Sequence, residues 1–387
     1  MSREGLERFW ILTAAALNIF VLYSPQPLLP LYADLFKLSE PTAGLIMTAT
    51  MLPLAVAPLS YGFILSYIPT LRLLRASLLL LAVFTGLTAL VQTFPQMLAV
   101  RFLQGMIIPA SLTAVMAFLA QPGRSPDWNL QRRMSLYVAA TISGGFLGRL
   151  LAGASSTVVD WRLYFLALAV LLLACFFMVG STTTASEVAR KGAPVEANPA
   201  SMDVFTLCLP VYLAVFLMFF VFCGILNYLP FRTIELSGSM SGLLTGSMYA
   251  GYVSGIITSM GAGKIIRRVG SEAKVMCGAY LVFLLFLFAM LLPLTWALFL
   301  LLFPFCGAMF LVHCVATAVV NGRAGNRRGL ASGIYVASYY GGGVVGTYVP
   351  GLIFKGSGWT AMVFVLLAAG VAGLAMLVLF FRGGRGG

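Results

Sequence analysis

Residues 137–153 read YVAATISGGFLGRLLAG, and residues 335–351 read YVASYYGGGVVGTYVPG. Laid together without a gap, Tyr137, Val138, Ala139, Gly144, Gly145, Gly148, Gly153 and Trp161 fall on Tyr335, Val336, Ala337, Gly342, Gly343, Gly346, Gly351 and Trp359. The offset is 198 residues in a chain of 387, so one half of the protein repeats in the other. Gly144 and Gly148 share one helical face, as do Gly342 and Gly346, and small residues four apart let helix backbones approach closely in lipid. The copies are predicted to pack helices and to offer a surface on which two halves glide. They differ at one telling place: Arg149 stands in the first and Thr347 in the second.

Composition places both copies in a bilayer. Hydrophobic residues make up 60% of the chain and charged residues 9%, against about 25% charged in a soluble domain. A helix needs roughly 20 apolar residues to cross the hydrocarbon. Such spans lie near residues 10–32, 43–66, 73–92, 96–120, 134–156 and 161–181, then near 204–228, 241–262, 274–292, 296–319, 330–353 and 359–381. The expected fold is therefore all-α, with 12 transmembrane helices in two six-helix bundles. Residues 1–181 form the first bundle, 182–203 a polar cytoplasmic linker, and 204–387 the second. Arg3 and Arg8 precede an apolar run too long for a cleavable signal, so that run reads as span 1. The six cysteines show no metal or disulfide spacing and read as small apolar fillers. No metal and no cofactor is expected.

The net charge is +13, and its placement argues for topology rather than for nucleic acid. With the N-terminus inside, eighteen Lys and Arg lie in inner segments, while Lys37, Arg162, Arg232 and Lys355 are the four in outer loops. That asymmetry follows the positive-inside bias and predicts a multi-pass inner-membrane protein with both termini cytoplasmic. Spans 5 and 11 then run the same way. Parallel repeats of this kind occur in secondary transporters, with the substrate site between the halves. A second, weaker echo joins GFILSYIPTLRLLR from Gly62 to GKIIRRVGSEAK from Gly263, each bringing basic residues past a glycine-bearing helix end, Arg268 among them.

An ionisable residue inside a membrane is costly and marks a functional candidate. Arg101, Arg149 and His313 lie well inside spans, and no Asp or Glu does. At about 1.5 Å of rise per residue, Arg101 and Arg149 both reach the outer half of the bilayer, with Gln26 at similar height and Asp34 just above. They are predicted to form one polar layer in the first bundle, with Arg149 facing a wet cavity. Asn18, Tyr23, Asn227, Tyr249, Tyr252 and Tyr339 join Arg101, Arg149 and Gln26 as candidate substrate-binding groups. His313, the only histidine, is of the residue type whose reference pKa of about 6.5 suits proton exchange near neutral pH, and it is a candidate for proton coupling together with Asp34 and Arg101. Gly62, Gly105, Gly144, Gly148, Gly263, Arg268, Gly342 and Gly346 are the candidates for gating and packing.

Twelve spans in two halves, the loops after spans 2 and 8, and RFLQGMIIPA in span 4 together resemble the major facilitator superfamily, and within it the bacterial drug:proton antiporters. Arg101, Gln104 and Gly105 match that group's span-4 signature. PQPLLP in span 1, NYLPF after span 7 and RGLASGIYVASYYGGGVVG into span 11 are similar to a branch of efflux permeases. The chain departs from the pattern where Ser66, Tyr67 and Pro69 stand for the Asp, Arg and Gly of the span 2–3 loop, where Arg267 takes the acidic place after span 8, and where span 5 has SGGFLGR without a Gly-Pro pair. The resemblance implies a monomeric, proton-coupled exporter of a small molecule working by alternating access. Two interior arginines without a deep carboxylate favour an alternative cargo, an anionic metabolite or metal chelator paired through Arg101 and Arg149. An intramembrane enzyme would need a nucleophile with a base or a metal cluster, and one histidine supplies neither.

Overall fold

The computed structural model describes residues 3–57, 68–120, 130–182, 202–239, 241–324 and 328–383, and every regular element among them is helical. Span 1 is α1 (Arg3–Tyr23), a 3-10 turn at Gln26–Leu28 and α2 (Leu29–Phe36). The sequence suggested one continuous helix here. Pro25 and Pro27 explain the break, because neither has an N–H for the carbonyl four residues back. Spans 2 to 6 are α3 (Glu40–Val56), α4 (Thr70–Thr88), α5 (Phe94–Ala120), α6 (Leu130–Val158) and α7 (Trp161–Thr182). The second half opens with the long α8 (Met202–Ser237). Span 8 is also broken, into α9 (Gly242–Ser247), a 3-10 turn at Met248–Gly251 and α10 (Tyr252–Val269). Then follow α11 (Glu272–Ala289), α12 (Thr295–Arg323), α13 (Arg328–Gly346) and α14 (Val349–Gly383). Within α14, Gly358 at φ 79° and ψ 179° is a corner that glycine alone takes without strain. It divides the end of span 11 from span 12.

Nine helices among the described residues are long and apolar enough to cross a membrane. The helices α3, α10 and α13 complete twelve. Gly62 and nearly all of the linker expected at 182–203 lie outside the described residues.

Helix packing repeats as the sequence does. In the first half α1 packs on α6 and α7, α5 on α3 and α4, and α4 on α7. In the second, α8 packs on α13 and α14, α12 on α10 and α11, and α11 on α14. Two seams join the halves, one between α6 and the α9–α10 pair, the other between α3 and α13. Exchanging the halves turns one seam into the other.

Gly144, Gly148, Gly342 and Gly346 sit inside the halves rather than on the expected gliding surface. A Cβ on Gly144 would overlap the backbone carbonyl of Ala16, and one on Gly148 that of Phe20, both in α1. Gly342 and Gly346 meet the carbonyls of Phe216 and Phe220 in α8 in the same way. Lipid chains are as apolar as leucine, so helices associate through close van der Waals contact rather than hydrophobic drive. These four glycines thus weld each half into a rigid body. Gly105 does the same between α5 and Thr50 of α3.

Candidate functional site

The seams between the halves lie toward the end of the bundle remote from Arg3, here termed distal. At one seam Gly153 of α6 abuts Gly242 and Gly246 of α9, so closely that no side chain fits. At the other, Gly44 of α3 abuts the Thr347 carbonyl, and the Thr48 and Thr347 hydroxyls are 2.7 Å apart. The repeat offset relates them: Gly44 and Thr48 correspond to Gly242 and Gly246, and Thr347 corresponds to Arg149. The same distal position thus holds a hydroxyl at one seam and a guanidinium at the other.

Arg149 is fully buried, which corrects the expected wet cavity: three tyrosine rings close over the guanidinium and keep solvent from it in this arrangement. Its Nε donates to Gln26 Oε1 at 2.6 Å and its NH1 to Gly145 O at 2.7 Å. The guanidinium carbon lies 3.9 Å from the Tyr23 ring centre, 4.5 Å from that of Tyr252 and 5.0 Å from that of Tyr249. Desolvating such an ion costs several kcal/mol. Cation–π contacts worth about 2 kcal/mol each when desolvated are of the order needed to offset that. Tyr249 is itself fixed by donating to Leu226 O at 2.9 Å.

From Arg149 a polar bridge crosses the molecule. Arginine can only donate, so the Gln26 amide must turn its oxygen to Arg149 and its nitrogen outward. That nitrogen donates to Asn227 Oδ1 at a long 3.4 Å, and Asn227 Nδ2 donates to Thr347 O at 3.0 Å. The Tyr228 hydroxyl gives Thr347 O a second bond at 2.7 Å. The bridge runs through spans 5, 1, 7 and 11, beginning and ending on equivalent positions of the repeat.

Arg101 does not join this layer. It is fully buried in the first half, where NH1 donates to Val21 O at 3.1 Å and Gln104 Oε1 at 2.7 Å, and NH2 to Leu22 O at 2.7 Å. Val21 O has no helical partner because Pro25 lies four residues on. Arg101 therefore caps the broken end of α1. Gln104 Nε2 passes the network on to Thr85 and Thr88 of α4 at 3.3 and 3.2 Å. Arg101→Met is expected to strand these acceptors at about 1–3 kcal/mol for each buried group. A thermal melt in detergent will show this as a clear loss of stability, with Arg101→Lys intermediate.

Asp34 also departs from the expected layer, since it is exposed on α2. Asn18 donates to Ala14 O and Ser111 Oγ within the first half. His313 is part-buried on α12, with the Tyr335 hydroxyl 3.0 Å from Nδ1 and the Tyr339 ring centre at 4.6 Å. Tyr339 in turn stacks on Phe219 at 3.6 Å. Gly263 and Arg268 are exposed and touch neither seam. Among the described residues no cluster of three metal-ligating side chains occurs.

The Major Facilitator Superfamily model matches residues 11–327. This chain belongs to the major facilitator superfamily. It is 25% identical over 375 residues to the uncharacterised MFS-type transporter YybF of Bacillus subtilis (strain 168), covering 92% of this chain and 90% of that one. It is 25% identical over 359 residues to the inner membrane transport protein YnfM of Escherichia coli (strain K12), covering 91% and 85%. A crystal structure of the nucleoside transporter NupG superposes with a TM-score of 0.75 at 14% identity, over 97% of this chain and 99% of that one, and so shares its fold. A superfamily transporter, and not an enzyme, is what relatives and fold both indicate.

Several residues of the distal seams escaped the sequence reading. Gly44, Thr48, Gly153, Gly242, Gly246, Tyr228 and Thr347 were not singled out as contacts between halves. The signal was present, since the offset of span 5 to span 11 also carries Gly44 onto Gly242. It shows equivalence, however, and not which helix each glycine meets.

Proposed function

We propose that this chain is a proton-driven exporter, carrying a small organic molecule across the inner membrane by alternating access, with both termini in the cytoplasm. One observation carries the reading: glycines pack each half tightly on itself, while among the described residues the contacts between halves concentrate at two small-residue seams and one polar bridge. The basic inner segments make the distal end the outward-facing one. The bridge's weakest bond, Gln26 to Asn227, is also the one that crosses between halves. Rocking the halves apart breaks that bond and the hydroxyl pair Thr48–Thr347, and withdraws the Tyr249 and Tyr252 rings from Arg149.

His313 is the coupling group in this reading. It is the only histidine, it lies on the other half from Arg149, and Tyr335 and Tyr339 give its ring a hydroxyl and an aromatic neighbour. Asp34 is the second candidate, placed to exchange protons with the outer solution.

The test is proteoliposome transport with a pH-sensitive dye inside and matched acidic, neutral and cationic compounds outside. At least one set is expected to evoke proton flux that empty liposomes lack. His313→Gln is expected to remove that flux by about tenfold or more, as loss of a general acid–base group does, while cargo exchange without a gradient persists. Flux that is absent for every set, or unchanged in His313→Gln, contradicts the proposal.

A further inference from the structure

We propose that Arg149, with the hydroxyls of Tyr23 and Tyr252, receives the acidic group of a monocarboxylate cargo with an aromatic or flat apolar body. This rests on the transporter reading above and names its substrate class.

The guanidinium has unfilled capacity. Its Nε and NH1 are engaged by Gln26 and Gly145, but NH2 is buried and has no hydrogen-bond partner. No carboxylate pairs with it among the described residues, whose ion pairs include Arg162–Asp160 and Arg232–Glu235. Tyr249 spends its hydroxyl on Leu226 O. The hydrogen bonds among the described residues engage neither the Tyr23 nor the Tyr252 hydroxyl, although both rings stand within 5 Å of the guanidinium carbon. A single charged donor between two rings whose hydroxyls are uncommitted suits one carboxylate.

Two comparisons within the molecule narrow the ligand. Arg101 differs: its two terminal nitrogens are committed to Val21, Leu22 and Gln104, and only its inner Nε is left without a partner, so it offers no terminal fork to a second anion. The repeat places Thr347 where a symmetric partner of Arg149 would be. One anionic group, not two, is therefore accommodated. For the rest of the cargo, ring contacts lead from Tyr252 to Phe222 at 5.9 Å, to Phe219 at 6.0 Å and to Tyr339 at 3.6 Å, ending at His313. That aromatic path from the anion acceptor to the titratable ring favours an aryl or alkyl-aryl acid.

The site depends on conformation. Tyr23 shares a half with Arg149, whereas Tyr252 and Tyr249 come from the other half. Parting the halves distally withdraws two of the three rings and one of the two free hydroxyls. The acceptor is complete only while the distal end is closed, and cargo is released as it opens.

Binding of benzoate, benzamide and benzamidinium, three probes of one shape and three charges, tests this on the full chain in nanodiscs by calorimetry. Benzoate is expected to bind at least about tenfold tighter than benzamide, the difference that a charge-assisted hydrogen bond makes. Arg149→Gln should lose that preference, Arg149→Lys should keep part of it, and Tyr252→Phe should weaken benzoate several-fold. Each variant is to be checked for a monodisperse elution profile, and Tyr252→Phe, which deletes one hydroxyl, serves if Arg149→Gln does not fold. Benzamide or benzamidinium binding as tightly as benzoate, or benzoate binding unmoved in folded Arg149→Gln or Tyr252→Phe, overturns the assignment. Equal occupancy by inorganic phosphate marks a free-anion site and overturns it as well. Failure of this site is distinguishable from failure of the transport reading: benzoate binding without flux spares the first, and flux of a cation without benzoate binding spares the second.

Discussion

Gly342→Leu is expected to leave no stable second half. A side chain there starts inside the carbonyl group of Phe216, and Gly346, one turn on, presses the carbonyl of Phe220 in the same way. Adding methylenes to a well-packed core costs about 1–3 kcal/mol when neighbours can shift. Here the neighbour is backbone in the middle of α8, which has no rotamer to offer, so the cost exceeds that range. Fluorescence-detected gel filtration should show aggregate in place of a monodisperse peak, and a melt of surviving protein should be shifted far down. Gly278→Leu is the control, because a Cβ at Gly278 meets nothing within 4 Å. Gly144→Leu should fail as Gly342→Leu does, by pressing on Ala16 of α1. If Gly342→Leu folds and melts like the parent, close welding within the halves is not what holds them.

Locking the distal end should abolish transport. The hydroxyl oxygens of Thr48 and Thr347 are 2.7 Å apart. With a C–O bond on each side, their Cβ atoms lie at most about 5.5 Å apart, within a small shift of the roughly 3.5–4.5 Å that a disulfide spans. The double variant Thr48→Cys with Thr347→Cys is expected to form that bond on oxidation and to lose at least about nine-tenths of its transport. The reasoning is that of a state held fixed: a transporter unable to leave one conformation cannot cycle. Reductant should restore the rate, and each single cysteine should transport normally under oxidant. The natural cysteines are all unpaired and buried or part-buried, which keeps the engineered pair the one that reacts first. A cross-linked protein that still transports as the parent does would show that the halves need not part at this seam, and the alternating-access scheme would go with it.

Much of this architecture is legible without coordinates. Span count and the break between halves follow from apolar run lengths, and the relation of the halves follows from the offset of Tyr137 to Tyr335. The pairing of Arg149 with Gln26 was also legible, since rise per residue sets the height of each in its helix, and a buried cation at that height needs an oxygen. The same arithmetic put Arg101 at that height and Asp34 just above it, and drawing them into one layer misled. Height says nothing of azimuth: Arg101 turns to the broken end of α1 and Asp34 turns to the outside.

Hydropathy and repetition report how each segment meets lipid and which segments are equivalent, because those are properties a helix has alone. They determined the fold class, the twofold plan and the charge that stands out in it. Whether Gly144 faces α1 or the opposite half, and that Gln26 reaches Asn227 rather than Arg101, was decided by tertiary structure only. Partners belong to the rotation and crossing of packed helices, set by the summed contact of all their side chains, and no local pattern in the chain carries that sum.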